Sequence, residues 1–162
     1  MSEAYHLLSV EQALEIVLES VQPLSPERLP ILEALERVLA EDIYSETDIP
    51  PLANSAMDGY ALRAADAAGA SAASPARLRV IADLPAGYIS GREVTPGTAI
   101  RIMTGAPIPP GADAVVPFEE TRVEGEWVTI SGPYAAGRNV RLAGEDVRRG
   151  EVVLQQGTLL RP

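Results

Sequence analysis

The sequence contains no cysteine and no lysine, and both absences exclude particular kinds of active site. Without cysteine the chain has no disulfide framework, no thiolate metal site and no cysteine nucleophile. Because all 13 basic residues are arginine, it also has no Schiff-base lysine and no phosphate-loop lysine, although a GC-rich genome produces the same bias. His6 is the only histidine, and so near the start of the chain we expect it to be solvated rather than functional.

Aromatic residues are also scarce, at 4% of the chain, so valine, isoleucine, leucine and alanine must form most of the core. The 14 prolines and 13 glycines favour short strands joined by turns over a helical bundle. The net charge of −10 is concentrated in residues 1–50, which hold eleven acidic residues and two arginines. Such an acidic segment does not favour binding to nucleic acid or to an anionic membrane. With no apolar run of membrane-spanning length and no start typical of a signal peptide, we expect a soluble cytoplasmic protein.

Hydrophobic periodicity predicts two amphipathic helices at the beginning of the chain. The first covers residues 9–21, where Ser9 and Gln12 form a capping-box pattern. The second covers residues 31–40. Core packing is the simpler interpretation of both apolar faces, and a dimer or partner interface is the alternative.

Beyond the helices the sequence predicts strands. They are expected at 78–82, 98–103, 113–117, 121–124 and 127–130, with a final β-like stretch at 151–160. Segment 64–76 is rich in alanine and serine and is predicted to be a loose surface connection.

The first run that suggests chemistry is IPPLANSAMDGYALR, residues 49–63. Small and polar residues surround one carboxylate, Asp58, which is followed by Gly59. Taken alone, Asp58 is compatible with a magnesium ligand, a general base or a turn former. The residue types favour the turn former, because Asp and Gly are common turn residues.

The second run is IRIMTGAPIPPGADAVVP, residues 100–117. A predicted strand leads into Thr104 and Gly105, and several prolines follow. Such a loop presents a hydroxyl and backbone amides to an anion. A proline-rich turn between two strands explains the same residues equally well.

The third run is AAGRNVRLAGEDVRRG, residues 135–150. It places Arg138 and Arg141 beside Glu145 and Asp146. Arginine forks bind oxyanions and carboxylate oxygens bind Mg²⁺, so the pattern suits a site for an oxyanion, a phosphate and a divalent metal. A charged solvent loop is the alternative, and a charge cluster alone favours it.

In this order, the motifs PP-x-x-NSAMDGYA, R-I-M-TGAP-x-P-x-GADAVV and GRNVR-x-x-GEDV resemble those of the molybdopterin molybdenumtransferases. This family of molybdenum insertases includes the bacterial MoeA proteins and the matching domain of gephyrin. The resemblance spans roughly residues 8–160. It implies the transfer of molybdenum from molybdate to adenylylated molybdopterin, with release of AMP and with the assistance of Mg²⁺.

The resemblance also implies a set of site residues, substrates and partners. The implied catalytic residues are Asp58, Thr104 and Asp146. The implied cofactor-binding residues are Ser55, Arg138 and Arg141, of which the arginines would offset the negative charge of molybdate and of the pterin phosphate. The implied Mg²⁺ ligands are Asp58, Asp146 and Glu145. The substrates would be adenylyl-molybdopterin and molybdate, the assembly a homodimer, and the upstream partner a molybdopterin adenylyltransferase.

The fold implied by the resemblance is mixed α+β and β-rich, with bifurcated β-sheets, two N-terminal helices and an inserted β domain. Residues 1–45 plus 140–162 would form one discontinuous lobe, and residues 46–139 would form the insert that carries SAMDGYA and MTGAP. Relatives continue into an α/β substrate-binding domain and a C-terminal β domain. Both are absent from this sequence, so residues 1–162 alone are expected to fold but not to catalyse.

Two other functions compete with that of an insertase. One is a non-catalytic dimerisation and scaffold module, like the matching part of gephyrin. The other is an unrelated magnesium-dependent phosphate enzyme, which requires the SAMDGYA match to be accidental.

Overall fold

A computed structural model describes residues 8–162, and His6 therefore lies outside the described residues. The first helix, α1, covers Val10–Ser20, as the periodicity predicts. Its capping box is complete, because Gln12 N donates to Ser9 Oγ at 3.2 Å and Ser9 N donates to Gln12 Oε1 at 3.0 Å. None of its residues is buried, so the apolar face of α1 lies exposed.

The prediction of a second helix over residues 31–40 is wrong. Only Ile31–Glu33 is helical, as a single 3-10 turn. The residues that follow pair with the end of the chain: Glu36 N donates to Leu160 O at 3.0 Å, and Leu39 N donates to Thr158 O at 2.9 Å. These long-range hydrogen bonds replace the bonds that a helix would form, so tertiary pairing overrides the helical period.

Ten strands lie in residues 8–162, and six of them form one sheet in the order β6-β3-β5-β4-β8-β7. These six are β3 (Gly59–Leu62), β4 (Ala76–Leu84), β5 (Thr98–Ile102), β6 (Ala114–Pro117), β7 (Thr121–Glu124) and β8 (Trp127–Ile130). All neighbours are antiparallel except β4 and β5, which are parallel. The strand predictions between residues 78 and 130 are thereby confirmed, and so is the β-rich mixed fold.

The core lies on both faces of this sheet. Along β3, Tyr60 and Leu62 pack in one buried cluster, and Ala61 between them packs in the other. This alternation follows from the two-residue period of a strand. Strand β6 is buried at all four positions, as its apolar sequence AVVP requires. The two buried strands β3 and β6 hold the ends of the first and second motifs in fixed positions.

Four further strands form two small sheets. Strand β1 (Ile43–Tyr44) pairs with β10 (Val152–Leu154), and β2 (Asn54–Ser55) pairs with β9 (Val140–Arg141). The β-like stretch predicted at 151–160 thus contains one short strand.

The chain divides into two compact units. One contains the residues up to Glu41 together with Gln156–Pro162, and the other is Asp42–Gln155. The division predicted from the sequence, 1–45 plus 140–162 around 46–139, places its crossing points elsewhere and stays a prediction.

Segment 64–76 is more ordered than predicted. It begins with a short helix, α2 (Ala64–Ala67), in which Ala67 is fully buried. The helix start is fixed by Asp113, whose Oδ1 accepts a hydrogen bond from Ala64 N at 2.6 Å. Small side chains allow this segment to pack closely, and its longest exposed stretch is residues 71–75.

Candidate functional site

Asp58 and Thr104, which come from different motifs, are in direct contact. Asp58 precedes β3 and Thr104 follows β5, and Gly59 is paired with Ile102 in the antiparallel ladder. Because the two strands run antiparallel, Asp58 at the start of β3 lies close to Thr104 at the end of β5. Asp58 Oδ1 accepts hydrogen bonds from both Thr104 N and Thr104 Oγ1, each at 2.7 Å.

These two bonds determine the charge state of Asp58. The backbone amide of Thr104 and then its hydroxyl stabilise the carboxylate, and the positive charge of Arg101 adds to them, so the pKa of Asp58 is lowered. The second oxygen, Oδ2, accepts no hydrogen bond from any residue in the 8–162 range. Asp58 therefore presents one ionised, solvent-exposed oxygen to a ligand.

Gly59 follows Asp58 at a point where only glycine fits. A Cβ atom at this position would lie 2.0 Å from the carbonyl oxygen of Val116, on the neighbouring strand β6. The glycine of SAMDGYA is thus explained by the close approach of a second strand, and not by the turn that the sequence suggests. This packing fixes the position of Asp58 against the sheet.

The backbone amides of the turn after β5 donate hydrogen bonds to other atoms of the protein. Thr104 N donates to Asp58, Gly105 N donates to Ser55 O at 2.8 Å, and Ala106 N donates to Met103 O at 3.0 Å. The expectation that this loop offers free amides to an anion is therefore wrong for these three residues. What the turn offers is a carboxylate held in place by Thr104.

Ser55 is buried, with 1% of its surface exposed. Its hydroxyl donates to Met57 O at 2.5 Å and accepts from Met57 N at 3.3 Å. Both contacts shape the loop that leads to Asp58. A binding role for Ser55 stays a prediction, and the geometry favours a structural one.

Arg141 and Asp146 form the second charged group. Arg141 Nη2 lies 2.8 Å from Asp146 Oδ1 and 2.6 Å from Oδ2, while Arg141 Nε lies 4.0 Å from Glu145 Oε1. Glu145 Oε2 also accepts a hydrogen bond from Leu142 N at 2.8 Å. The two predicted acids of the third motif thus face Arg141.

Arg138 belongs to a third charged group, which it forms with Glu120 and Tyr134. Its Nη2 lies 3.5 Å from Glu120 Oε1, and its guanidinium lies 4.5 Å from the centre of the Tyr134 ring. Tyr134 donates a hydrogen bond to Glu120, and burial together with this bond raises the pKa of Tyr134 to about 12. The sequence gives no signal for this cluster, because its members are separated by up to 18 residues.

Strand β2 brings the three motifs together. On one side Asn54 pairs with Arg141 of β9, and on the other it bridges to Pro107, just beyond the Thr104 turn. The first motif therefore lies between the second and the third. The structure unites Asp58 with Thr104 and unites Arg141 with Asp146, in two charged groups that flank one short strand.

The described residues do not form a complete Mg²⁺ site. Within residues 8–162, no three His, Cys, Asp or Glu side chains lie close enough together to hold a metal ion. Asp58 Oδ2 can serve as one ligand, which suits an ion held mostly by phosphate oxygens and water. The roles of Asp146 and Glu145 as metal ligands stay predictions.

Comparisons with known proteins agree with this arrangement of motifs. Residues 8–162 match the family model described as the MoeA N-terminal region, domains I and II. The chain is similar to the molybdopterin molybdenumtransferase of Synechococcus elongatus (42% identity, 96% of this chain and 40% of the relative). It is also similar to molybdopterin molybdenumtransferase 2 of Mycobacterium tuberculosis (40% identity, 95% of this chain and 38% of the relative).

Solved structures give the same result. The crystal structure of a molybdopterin biosynthesis moeA protein from Pyrococcus horikoshii OT3 superimposes with a TM-score of 0.92 at 45% identity, over 97% of this chain and 42% of that one. The chain therefore spans about 40% of the length of the relatives that it matches. In the described part of the chain, no helix has both the length and the apolar character needed to cross a membrane.

Proposed function

Because the chain belongs to the family of MoeA N-terminal regions, we propose that it is the N-terminal part of a molybdenum insertase. The reaction is the transfer of molybdenum from molybdate to adenylylated molybdopterin, with release of AMP, in the cytoplasm. The Asp58–Thr104 contact carries the proposal, because it joins two separate motifs through a carboxylate with one open oxygen.

In this proposal Asp58 and Thr104 act as one unit. Thr104 orients the carboxylate and keeps it ionised, so that Oδ2 faces the phosphate side of the substrate. Mg²⁺, when bound there by substrate phosphates, supplies charge neutralisation at those phosphates. Arg141, which holds Asp146, orients the third motif on the other side of β2.

The exposed apolar face of α1 supports assembly as a homodimer. The same surface is the observation that favours the second candidate, a scaffold module without catalysis. In the insertase hypothesis, a molybdopterin adenylyltransferase supplies the substrate, and residues 1–162 alone are expected to be inactive.

The test is the variant Asp58→Asn in the full-length protein, with Asp83→Asn as the matched control. Both variants lose one exposed carboxylate next to Arg101, but only Asp58 contacts Thr104. We expect Asp58→Asn to reduce AMP release from adenylylated molybdopterin, with molybdate and Mg²⁺ present, by about 100-fold or more. Asp83→Asn should retain most of the activity.

Asp146→Asn tests the third motif in the same assay and should also reduce the rate sharply. Near-normal AMP release by both Asp58→Asn and Asp146→Asn, in folded protein, would contradict the proposed roles. An oligomer that forms normally but releases no AMP in the unmodified protein would favour the scaffold.

A further inference from the structure

Arg101 is the first residue of the second motif, R-I-M-TGAP, and it has no role among the site residues predicted from the sequence. It is in β5, directly opposite Tyr60 on β3. Asp58 comes two residues before Tyr60, just outside β3, so it lies on the diagonal from Arg101. Diagonal neighbours in an antiparallel pair are within reach of long side chains. The side chain of Arg101 is 44% exposed, so solvent and ligands have access to it.

Phe118 forms a platform under this guanidinium. The Arg101 guanidinium carbon lies 5.0 Å from the centre of the Phe118 ring, and the Tyr60 ring packs against Phe118 at 5.3 Å, edge to face. Phe118 N donates to Asp58 O at 3.2 Å. The platform is therefore tied to the backbone of the same residue whose side chain binds Thr104.

The guanidinium has hydrogen-bonding capacity left for a ligand. Its Nη1 lies 3.5 Å from Asp83 Oδ1, and because the Asp83 side chain is 72% exposed this ion pair is weak. Arg141, in contrast, is held by Asp146 at 2.6 Å. Arg101 is also the arginine whose positive charge acts on the Asp58 carboxylate.

An anion next to Asp58 needs donors, and the nearby backbone does not supply them. The amides of Thr104, Gly105 and Ala106 all donate within the protein. We therefore propose that Arg101, lying on Phe118, is the residue that binds an oxyanion of the substrate next to Asp58. This inference rests on the proposed insertase function. Two oxyanions have the required chemistry, molybdate and the phosphate of the adenylylated pterin.

The experiment uses the chain of residues 1–162 labelled with ¹⁵N, titrated separately with sodium molybdate and with AMP. In the unmodified chain, we expect one of the two probes to shift the amide resonances of Thr104 and Phe118. The probe that binds more tightly identifies the oxyanion. In Arg101→Gln the apparent Kd for that probe should increase about tenfold or more, because a charge-assisted bidentate contact is lost. The apparent Kd of Arg101→Lys should lie between those of the unmodified chain and Arg101→Gln, since lysine keeps the charge but not the planar fork.

Arg77→Gln is the matched control. Arg77 makes the same kind of contact, with its guanidinium 4.8 Å from the ring centre of Trp127, but it lies on β4 away from Asp58. This variant should bind the probes with unchanged Kd, which separates anion binding from the loss of an arginine–aromatic contact. Unchanged Kd in Arg101→Gln, or no shift with either probe in the unmodified chain, would overturn the proposal.

The result is independent of the activity test. If Asp58→Asn abolishes AMP release while Arg101→Gln leaves the anion Kd unchanged, the insertase proposal stands and the role of Arg101 is rejected. If Asp58→Asn remains active while Arg101→Gln loses anion binding, the oxyanion site stands and the proposed role of Asp58 is rejected. If the unmodified full-length protein releases no AMP while Arg101→Gln loses anion binding, the oxyanion site stands and the insertase proposal fails.

Discussion

Asp58 accepts both hydrogen bonds of Thr104 on the same oxygen, Oδ1. A carboxylate held in this way keeps a fixed direction for its other oxygen. Because the charged form accepts these bonds, the pKa of Asp58 lies below its usual value. The hydroxyl of Thr104 is therefore an electrostatic part of the site as well as a structural one.

Thr104→Val tests this contribution at the level of one residue. The variant removes the hydroxyl but keeps the backbone amide, so the pKa of Asp58 should rise toward its ordinary value. A group with a lowered pKa stabilises the fold above its unfolded pKa of about 4 and loses this contribution as the pH falls through the folded pKa. The stability of Thr104→Val should therefore depend less on pH in this acidic range.

The measurement is a ¹³C NMR titration of the Asp58 carboxyl, with Thr104→Ser as the control that retains the hydroxyl. Thr104→Ser should keep the low pKa. An unchanged Asp58 pKa in Thr104→Val would mean that the hydroxyl does not stabilise the carboxylate.

The residues of the site differ in how far the sequence could predict them. Asp58, Thr104 and Asp146 stand in compact motifs, so the resemblance identified them. The sequence does not predict the proposed roles of Arg101 and Phe118. Arg101 opens the second motif but occupies an exposed position of strand β5, and Phe118 is 60 residues from its contact partner Asp58. Their role depends on the pairing of β3 with β5 and β6, which a single sequence does not reveal.

At the level of the elements, β3 is the strand that the site depends on. It pairs with β5 on one side and β6 on the other, so it cannot move away from either neighbour. An added methyl group at Gly59 would overlap with backbone atoms of Val116, at 2.0 Å from its carbonyl oxygen and 2.8 Å from its carbonyl carbon, and backbone atoms cannot yield easily.

Gly59→Ala should therefore destabilise the protein by about 1–3 kcal/mol or more, the usual cost of overpacking. Urea unfolding followed by circular dichroism measures this change. Gly69→Ala is the control, since nothing lies within 4 Å of a Cβ at that position. If both variants have the same free energy of unfolding, the close approach of Val116 to Gly59 is not a constraint.

The elements also show where local signals fail. Helix α1 and the five strands β4 to β8 follow the patterns that predict them, whereas the short strand β9 (Val140–Arg141) has no such pattern. Residues 31–40 have an equally good helical pattern, but the backbone from Glu36 onward pairs with residues 158–160. The small alanine and serine side chains of segment 64–76 predict a loose loop, and the same small size allows Ala67 to be buried.

On the scale of the whole molecule, two compact units divide the chain at Glu41/Asp42 and Gln155/Gln156. Connections between units carry fewer contacts than the units themselves and open at lower free energy. Limited digestion with a protease of broad specificity should therefore cut first near these junctions or within the exposed residues 71–75.

The strands between residues 98 and 130 should resist digestion, because they are hydrogen-bonded into the six-stranded sheet and most residues of β5 and β6 are buried. Mass spectrometry of the early fragments identifies the cuts. First cleavage within residues 98–117 would contradict the two-unit organisation. First cleavage near residues 45 and 140 would support the boundaries predicted from the sequence instead.

Trp127 is the only tryptophan of the chain, and it lies in β8 under the guanidinium of Arg77. Its fluorescence emission consequently reports on the β8 side of the six-stranded sheet, within the unit Asp42–Gln155. Helix α1, which has no buried residue, belongs to the other unit and contains no tryptophan. An unfolding curve recorded by tryptophan emission would thus describe the larger unit alone, and a helical signal recorded in parallel would show whether the two units lose their structure together.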